Sequence, residues 1–175
     1  MSKAMEYQNH TTTILLAEDN ATDCVLIRKA FQEVDPDYDL FFVKDGIDLL
    51  QFLRNQGKYI DHAVAPRPDL ILLDLIMPRM DGRQALAEIK SDLNLRSIPV
   101  VVLTNSHSQE DIMRTYDLGG AGFIIKPQTF EGIVEVVKVL NQYWFEVVEL
   151  ASGEHVKQVK KNNYASYSSG ASIAQ

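Results

Sequence analysis

The 175-residue chain predicts a doubly wound α/β fold, and three observations carry that prediction. Five short apolar runs alternate with stretches whose apolar residues recur at spacings of three and four, in the order βαβαβαβαβα. One of the runs, Leu70-Ile71-Leu72-Leu73, is unbroken, as a strand buried on both faces of a parallel sheet should be. The runs also end in residues that carry chemistry: Glu18 and Asp19 after the first, Asp74 after the third, Thr104 on the fourth and Lys126 after the fifth. Right-handed crossovers place helices on both faces of such a sheet. Sites on it are built at the carboxyl ends of the strands.

Taken in order, Thr13–Ala17 reads as a buried first strand. Asn20 or Asp19 can cap the helix that follows. That helix carries Leu26, Ile27, Ala30, Phe31 and Val34 on one side, and Asp35-Pro36-Asp37 stops it. Asp39–Val43 is the second strand. Asp45-Gly46 then turns the chain into a helix marked by Leu49, Leu50, Phe52 and Leu53, ending near Gly57. Residues 58–67 exceed the usual connection of about 2–6 residues and read as an exposed excursion. Residues 69–73 form the third strand, and the chain cannot continue it through Pro78. Asp81-Gly82 opens a helix with Ala85, Leu86 and Ile89 inward.

Residues 99–104 are a fourth strand, and residues 109–118 a mostly polar helix broken by Gly119-Gly120-Ala121-Gly122. Residues 123–125 are the fifth strand, and residues 130–150 one long final helix. The domain is expected to span residues 13–150, after a loose N-terminus over residues 1–12. Residues 151–175 read as a flexible tail, its second half being mostly Ser, Ala, Gly, Asn and Tyr. Met77 and Met80 are expected to pack, and Cys24 to face water.

Composition narrows the function. No apolar run approaches the roughly 20 residues of a membrane span, and residues 1–10 do not resemble a secretory signal. A cytoplasmic protein without a membrane partner is the expectation. The single cysteine, Cys24, excludes an internal disulfide. With 24 acids against 17 bases and a net charge of −7, general nucleic-acid binding by a basic surface is disfavoured. The four histidines, at 10, 62, 107 and 155, have no metal-ligand spacing.

In a sheet of order 2-1-3-4-5, strands one, three, four and five are neighbours. Glu18, Asp19, Asp74, Thr104 and Lys126 then converge at one edge of the domain. Three carboxylates held together repel one another, and a hard divalent cation such as Mg²⁺ relieves the repulsion. A carboxylate can attack phosphorus to give an aspartyl phosphate, and a metal ion polarises the incoming phosphoryl group. Lys126 supplies a point charge to a phosphoryl oxygen, and the Thr104 hydroxyl a donor to another.

With these residues in view, the sequence resembles a response-regulator receiver domain, the phospho-acceptor half of two-component signalling. The resemblance covers residues 13–144. It rests on Glu18-Asp19, the Leu-Leu-Asp-Leu-x-Met-Pro-x-Met-Asp-Gly run at 72–82, Thr104 at a strand end, and Lys126-Pro127. It implies a flavodoxin-like (βα)5 fold with Asp74 as the phosphorylated residue. It further implies that Glu18, Asp19, Asp74 and the backbone carbonyl of Ile76 hold Mg²⁺, and that Lys126 contacts the phosphate through a loop whose Lys126–Pro127 bond is cis. Phe123 takes the aromatic switch position, coupled to Thr104. The implied partner is a sensor histidine kinase.

Within the family, the chain is similar to small single-domain regulators paired with cyanobacterial phytochrome kinases. The shared features are the extended segment before the third strand, Leu-Thr-x-Ser-His at 103–107, and Tyr143-Trp144-Phe145-Glu146 near the end of the match. One residue departs from the family pattern. Asn105 follows the switch threonine where Ala or Gly is common, and its bulk should hinder donors or water at the phosphate.

The function expected is a phosphorylation-dependent interaction switch whose output is another protein. A phosphorelay intermediate passing phosphate to a His-containing transfer protein is an alternative. So is an aspartyl-phosphate phosphohydrolase, although that chemistry wants a second acid where Ile76 stands. A flavin carrier on the same fold would need a hydroxyl- and Gly-rich phosphate loop where Glu18-Asp19 stand.

The final helix carries a core stripe that includes Phe130, Ile133, Val134, Val137, Leu140, Trp144 and Val148. Beside it runs a second stripe of Val136, Val139, Tyr143 and Val147. Together they exceed the apolar band a surface helix needs. A two-fold homodimer through this helix and the fifth strand is therefore expected.

Overall fold

The computed structural model describes residues 11–148 and 150. The expectations for residues 1–10 and 151–175 lie outside the described residues. Five parallel strands, β1 (Thr13–Ala17), β2 (Asp39–Val43), β3 (Leu70–Leu73), β4 (Val100–Thr104) and β5 (Gly122–Ile125), form one sheet in the order β2-β1-β3-β4-β5. This is the doubly wound arrangement the sequence predicts. Ala17 pairs with Leu73, so β1 and β3 finish level and Glu18 and Asp74 emerge side by side. Thr12 is already buried, and its carbonyl accepts from the Asp39 amide at 2.9 Å.

Alternation along the strands divides the core between the two faces. Ile14, Leu16, Leu70, Leu72, Val101 and Leu103 face α1 (Ala21–Val34) and α5 (Phe130–Asn141), meeting Ile27, Phe31, Val134 and Val137. Leu15, Ala17, Ile71, Leu73 and Val100 face α2 (Gly46–Leu53) and α3 (Gly82–Ser91), meeting Leu49, Phe52, Leu86 and Ile89. The remaining helix, α4 (Gln109–Asp117), is mostly polar and buries only Asp111 and Thr115. Each helix starts on a side chain that accepts from its free amides: Asn20, Asp45, Asp81, Ser108 and Thr129. At α3 the bonds are reciprocal between Asp81 and Gln84.

Five expectations are corrected. The final helix is not one α-helix to residue 150. After Asn141 it continues as a π-helical turn, Gln142–Val147, and Val148 is already extended. The wider turn re-aims the side chains that follow. Phe145 thereby reaches Tyr38, with ring centroids 5.6 Å apart, and the Tyr38 hydroxyl bonds Asn141 Oδ1. Val136, expected in the outer stripe, packs against the core, whereas Val139, Tyr143 and Val147 are 63%, 53% and 59% exposed.

The excursion after α2 is anchored rather than wholly exposed. Tyr59 and Ala65 are buried, the Tyr59 ring stands edge-on to Phe52, and the Tyr59 hydroxyl donates to Asp48 Oδ2 at 3.2 Å. Cys24 is half-buried against the core instead of facing water, because position 24 shares the inward side of α1 with Ile27 and Phe31. Every peptide bond among the described residues is trans, Lys126–Pro127 included; trans is the isomer an X–Pro bond prefers when nothing constrains it.

Candidate functional site

The site lies where the sheet order reverses direction, at the carboxyl ends of β1 and β3, the position at which doubly wound sheets bind ligands. The Asp74 amide donates to Ala17 O at 3.0 Å, fixing the end of β3 against β1. The Asp74 side chain is buried. Its Oδ1 accepts from Thr104 Oγ1 at 2.7 Å and from the Ile76 amide at 3.0 Å, and its Oδ2 accepts from Lys126 Nζ at 2.7 Å. Lys126, one residue beyond the end of β5, is held against the end of β4 by the bond from its amide to Thr104 O at 2.8 Å.

Gly82 lets the start of α3 approach the acceptor. A Cβ there would stand 2.1 Å from Asp74 O and 2.8 Å from Leu75 Cα. The adjoining loop is pinned to the start of α2: the Gly46 amide donates to Met80 O at 2.9 Å, and Arg79 Nε to Asp45 Oδ2 at 2.8 Å.

Glu18 is buried, and its Oε1 accepts from the Asn20 amide at 3.0 Å while its Oε2 bonds Lys126 Nζ. Asp19 is exposed at the mouth of the site. Burial raises the Glu18 carboxyl above its ordinary range; Lys126 opposes that shift, and the Asp74 charge adds to it. Burial works against the Lys126 charge, but bonds to Asp23, Asp74 and Glu18 outweigh it and hold the ammonium above lysine's ordinary range.

Ligand atoms of Glu18, Asp19 and Asp74 lie within 4.8 Å of one another. All are hard oxygen donors, two buried and one open to solvent. That donor set fits a hard divalent cation.

The structure thus brings together Glu18, Asp19, Asp74, Thr104 and Lys126. The Ile76 side chain is 59% exposed, with its backbone beside Asp74. Phe123 stands apart: it is half-buried on β5, in register with Val102 and two residues short of the Thr104 pairing. Asn105 lies beyond Thr104, lining a cavity of about 170 Å³ between α1 and α5 that also touches Lys126 and Gln128.

Two features were missed by sequence reasoning. Asp23 Oδ2 accepts from Lys126 Nζ at 2.8 Å. Asp23 is visible as an acid in the first turn of the helix that Asn20 caps, but nothing local links it to a lysine 103 positions later. Asp111 is gripped by Arg83 through two bonds of 2.6 and 2.7 Å and accepts from Ser106 Oγ at 2.5 Å, tying the loop after β4 to α3. No local pattern links those residues.

Sheet order and site together define a doubly wound α/β protein with an acidic, lysine-bearing cleft around one buried carboxylate. The chain belongs to the response regulator receiver family, whose domain it matches over residues 14–138. It is 38% identical to the response regulator Rcp1 of Synechocystis sp. over 142 residues, covering 81% of this chain and 95% of that protein. It is 37% identical over 134 residues to a probable methanogenesis regulatory protein, FilR2, of Methanothrix harundinacea, covering 75% and 82%.

Among solved structures, the phosphorylated cyanobacterial phytochrome response regulator RcpA superposes with a TM-score of 0.76 at 40% identity, covering 82% of this chain and all of that one. The Mn²⁺-bound form of Rcp1 superposes with a TM-score of 0.72 at 38% identity, covering 79% and 98%. The chain is thus a phospho-acceptor signalling protein related to phytochrome response regulators, with a histidine kinase as its cognate partner. Among the described residues, no helix is long and apolar enough to cross a membrane.

Proposed function

We propose that Asp74 is the phospho-acceptor and that the donor is a phytochrome-type sensor histidine kinase in the cytoplasm. One observation carries the reading. The buried Asp74 carboxylate meets Lys126 on one oxygen and Thr104 on the other, beside two further acids. In the transfer, an Asp74 oxygen forms a bond to phosphorus as the P–N bond to the kinase histidine breaks, and that nitrogen recovers a proton. Glu18, Asp19, Asp74 and the Ile76 carbonyl would hold Mg²⁺, which neutralises charge on the phosphoryl oxygens when bound. Lys126 donates to one phosphoryl oxygen, and Thr104 turns from Asp74 to another. The same groups would support slow loss of the phosphate to water.

The relatives that are phytochrome response regulators support the choice of kinase. The exposed side chains of Val139, Tyr143 and Val147, with Ile125 of β5 at 39% exposure, support a homodimer through the end of α5 and β5. Movement of Thr104 would let Phe123 turn inward, altering the face formed by α4, β5 and α5 for a downstream protein.

The test is phosphoryl transfer from the phosphorylated kinase with Mg²⁺ present. Wild type takes up an alkali-labile label and Asp74→Asn takes up none. Uptake by Asp74→Asn at the wild-type rate refutes the assignment.

A further inference from the structure

A lysine ammonium has three N–H donors. Those of Lys126 meet three carboxylates: Glu18 Oε2, Asp74 Oδ2 at 2.7 Å and Asp23 Oδ2 at 2.8 Å. Two of these acids, Glu18 and Asp74, also belong to the trio whose oxygens can close around a cation; Asp23 does not. A divalent cation and Lys126 therefore draw on the same two carboxylates. Lys126 is buried, so its charge cannot retreat to water when they turn away. Asp23 stands to one side, on the first turn of α1, oriented by the bond from its own amide to Asn20 Oδ1 at 3.2 Å. Its side chain is 24% exposed, so it can carry charge at less cost than Glu18.

We propose that Asp23 is a positioning residue: it keeps Lys126 paired when a divalent cation draws Glu18 and Asp74 to itself, so that the site holds the cation and the lysine together. Without Asp23, Lys126 falls back on Glu18 and Asp74 and competes with the metal for them. The inference rests on the reading of Glu18, Asp19 and Asp74 as cation ligands.

The test is Mn²⁺ affinity of the full chain, measured by water-proton relaxation and calorimetry. Asp23→Asn, which keeps shape and loses charge, should bind Mn²⁺ about tenfold more weakly, the size of one close charge contact. Asp23→Glu should recover most of the loss. In a Lys126→Gln background, Asp23→Asn should change little, because the effect runs through the lysine. Unchanged affinity in Asp23→Asn overturns the proposal. So does an equal loss in both backgrounds, since Asp23 would then act only as one more negative charge. If Lys126→Gln does not fold, salt dependence decides: a contact effect persists in about 0.5 M KCl, where the Debye length is only roughly 4 Å, whereas a through-space effect is largely removed. Wild-type affinity in Asp19→Asn, or no Mn²⁺ binding by wild type, would instead remove the cation reading on which the proposal stands.

Discussion

The hydroxyl of Thr104 donates to Asp74 Oδ1 at 2.7 Å, joining the end of β4 directly to the carboxylate at the end of β3. Thr104 is fully buried, so this hydroxyl has no water to turn to. A phosphoryl oxygen on Asp74 would offer it a stronger, charged acceptor. Thr104→Ala should therefore still accept phosphate but pass on less of the change, read as smaller phosphate-induced NMR shifts at Phe123. Its stability should fall by about 1 kcal/mol in urea unfolding, since the Ile76 amide still serves Oδ1. Equal shifts in mutant and wild type would count against the coupling.

Gly82→Ala tests how closely α3 must approach the acceptor. The added methyl would meet backbone atoms of Asp74 and Leu75, which cannot move without shifting the site. A loss of roughly 2–3 kcal/mol is expected from overpacking of this kind. Phosphoryl uptake should slow in the same variant. Wild-type stability and uptake together would show that the approach is not required.

The Arg83–Asp111 contact predicts a pH dependence. The Arg83 guanidinium beside Asp111 holds that carboxyl below its ordinary value of 3.8, against the opposing effect of burial. A depressed folded pKa contributes stability above the unfolded value, and that contribution is lost as pH falls through the folded value. Arg83→Gln should cost about 1–3 kcal/mol at pH 7, the range for hydrogen bonds to charged groups. The difference from wild type should shrink as pH drops below 3.8. Denaturant titrations at both pH values measure it, and a pH-independent difference would refute the assignment of the stability to this ion pair.

Self-association is tested by charge. Val139→Glu with Tyr143→Glu places like charges on two side chains that are already more than half exposed, so the fold should survive while two copies repel. Sedimentation of wild type at high micromolar concentration should show dimer, and the double variant monomer. A wild type that stays monomeric with and without phosphate ends the idea.

What the sequence by itself determined about this protein is the set of features written in short windows. Unbroken runs such as Leu70–Leu73 specify strands buried on both faces, and Asn20, Asp45, Asp81, Ser108 and Thr129 each mark a helix start through a bond spanning two or three residues. The acids, hydroxyl and lysine at strand ends follow once those runs are located, because a parallel sheet brings its carboxyl ends to one edge. Tertiary structure alone decided contacts between residues far apart in the chain. Asp23 and Lys126 are 103 positions apart, as are Tyr38 and Asn141. The π-helical turn that aims Phe145 at Tyr38, the burial of Tyr59 under Phe52 and the grip of Arg83 on Asp111 are of the same kind. Local periodicity says which side of a helix is apolar; only the packed neighbour decides which polar group on that helix finds a partner, since a buried charge or hydroxyl must be satisfied by whatever the fold brings within reach.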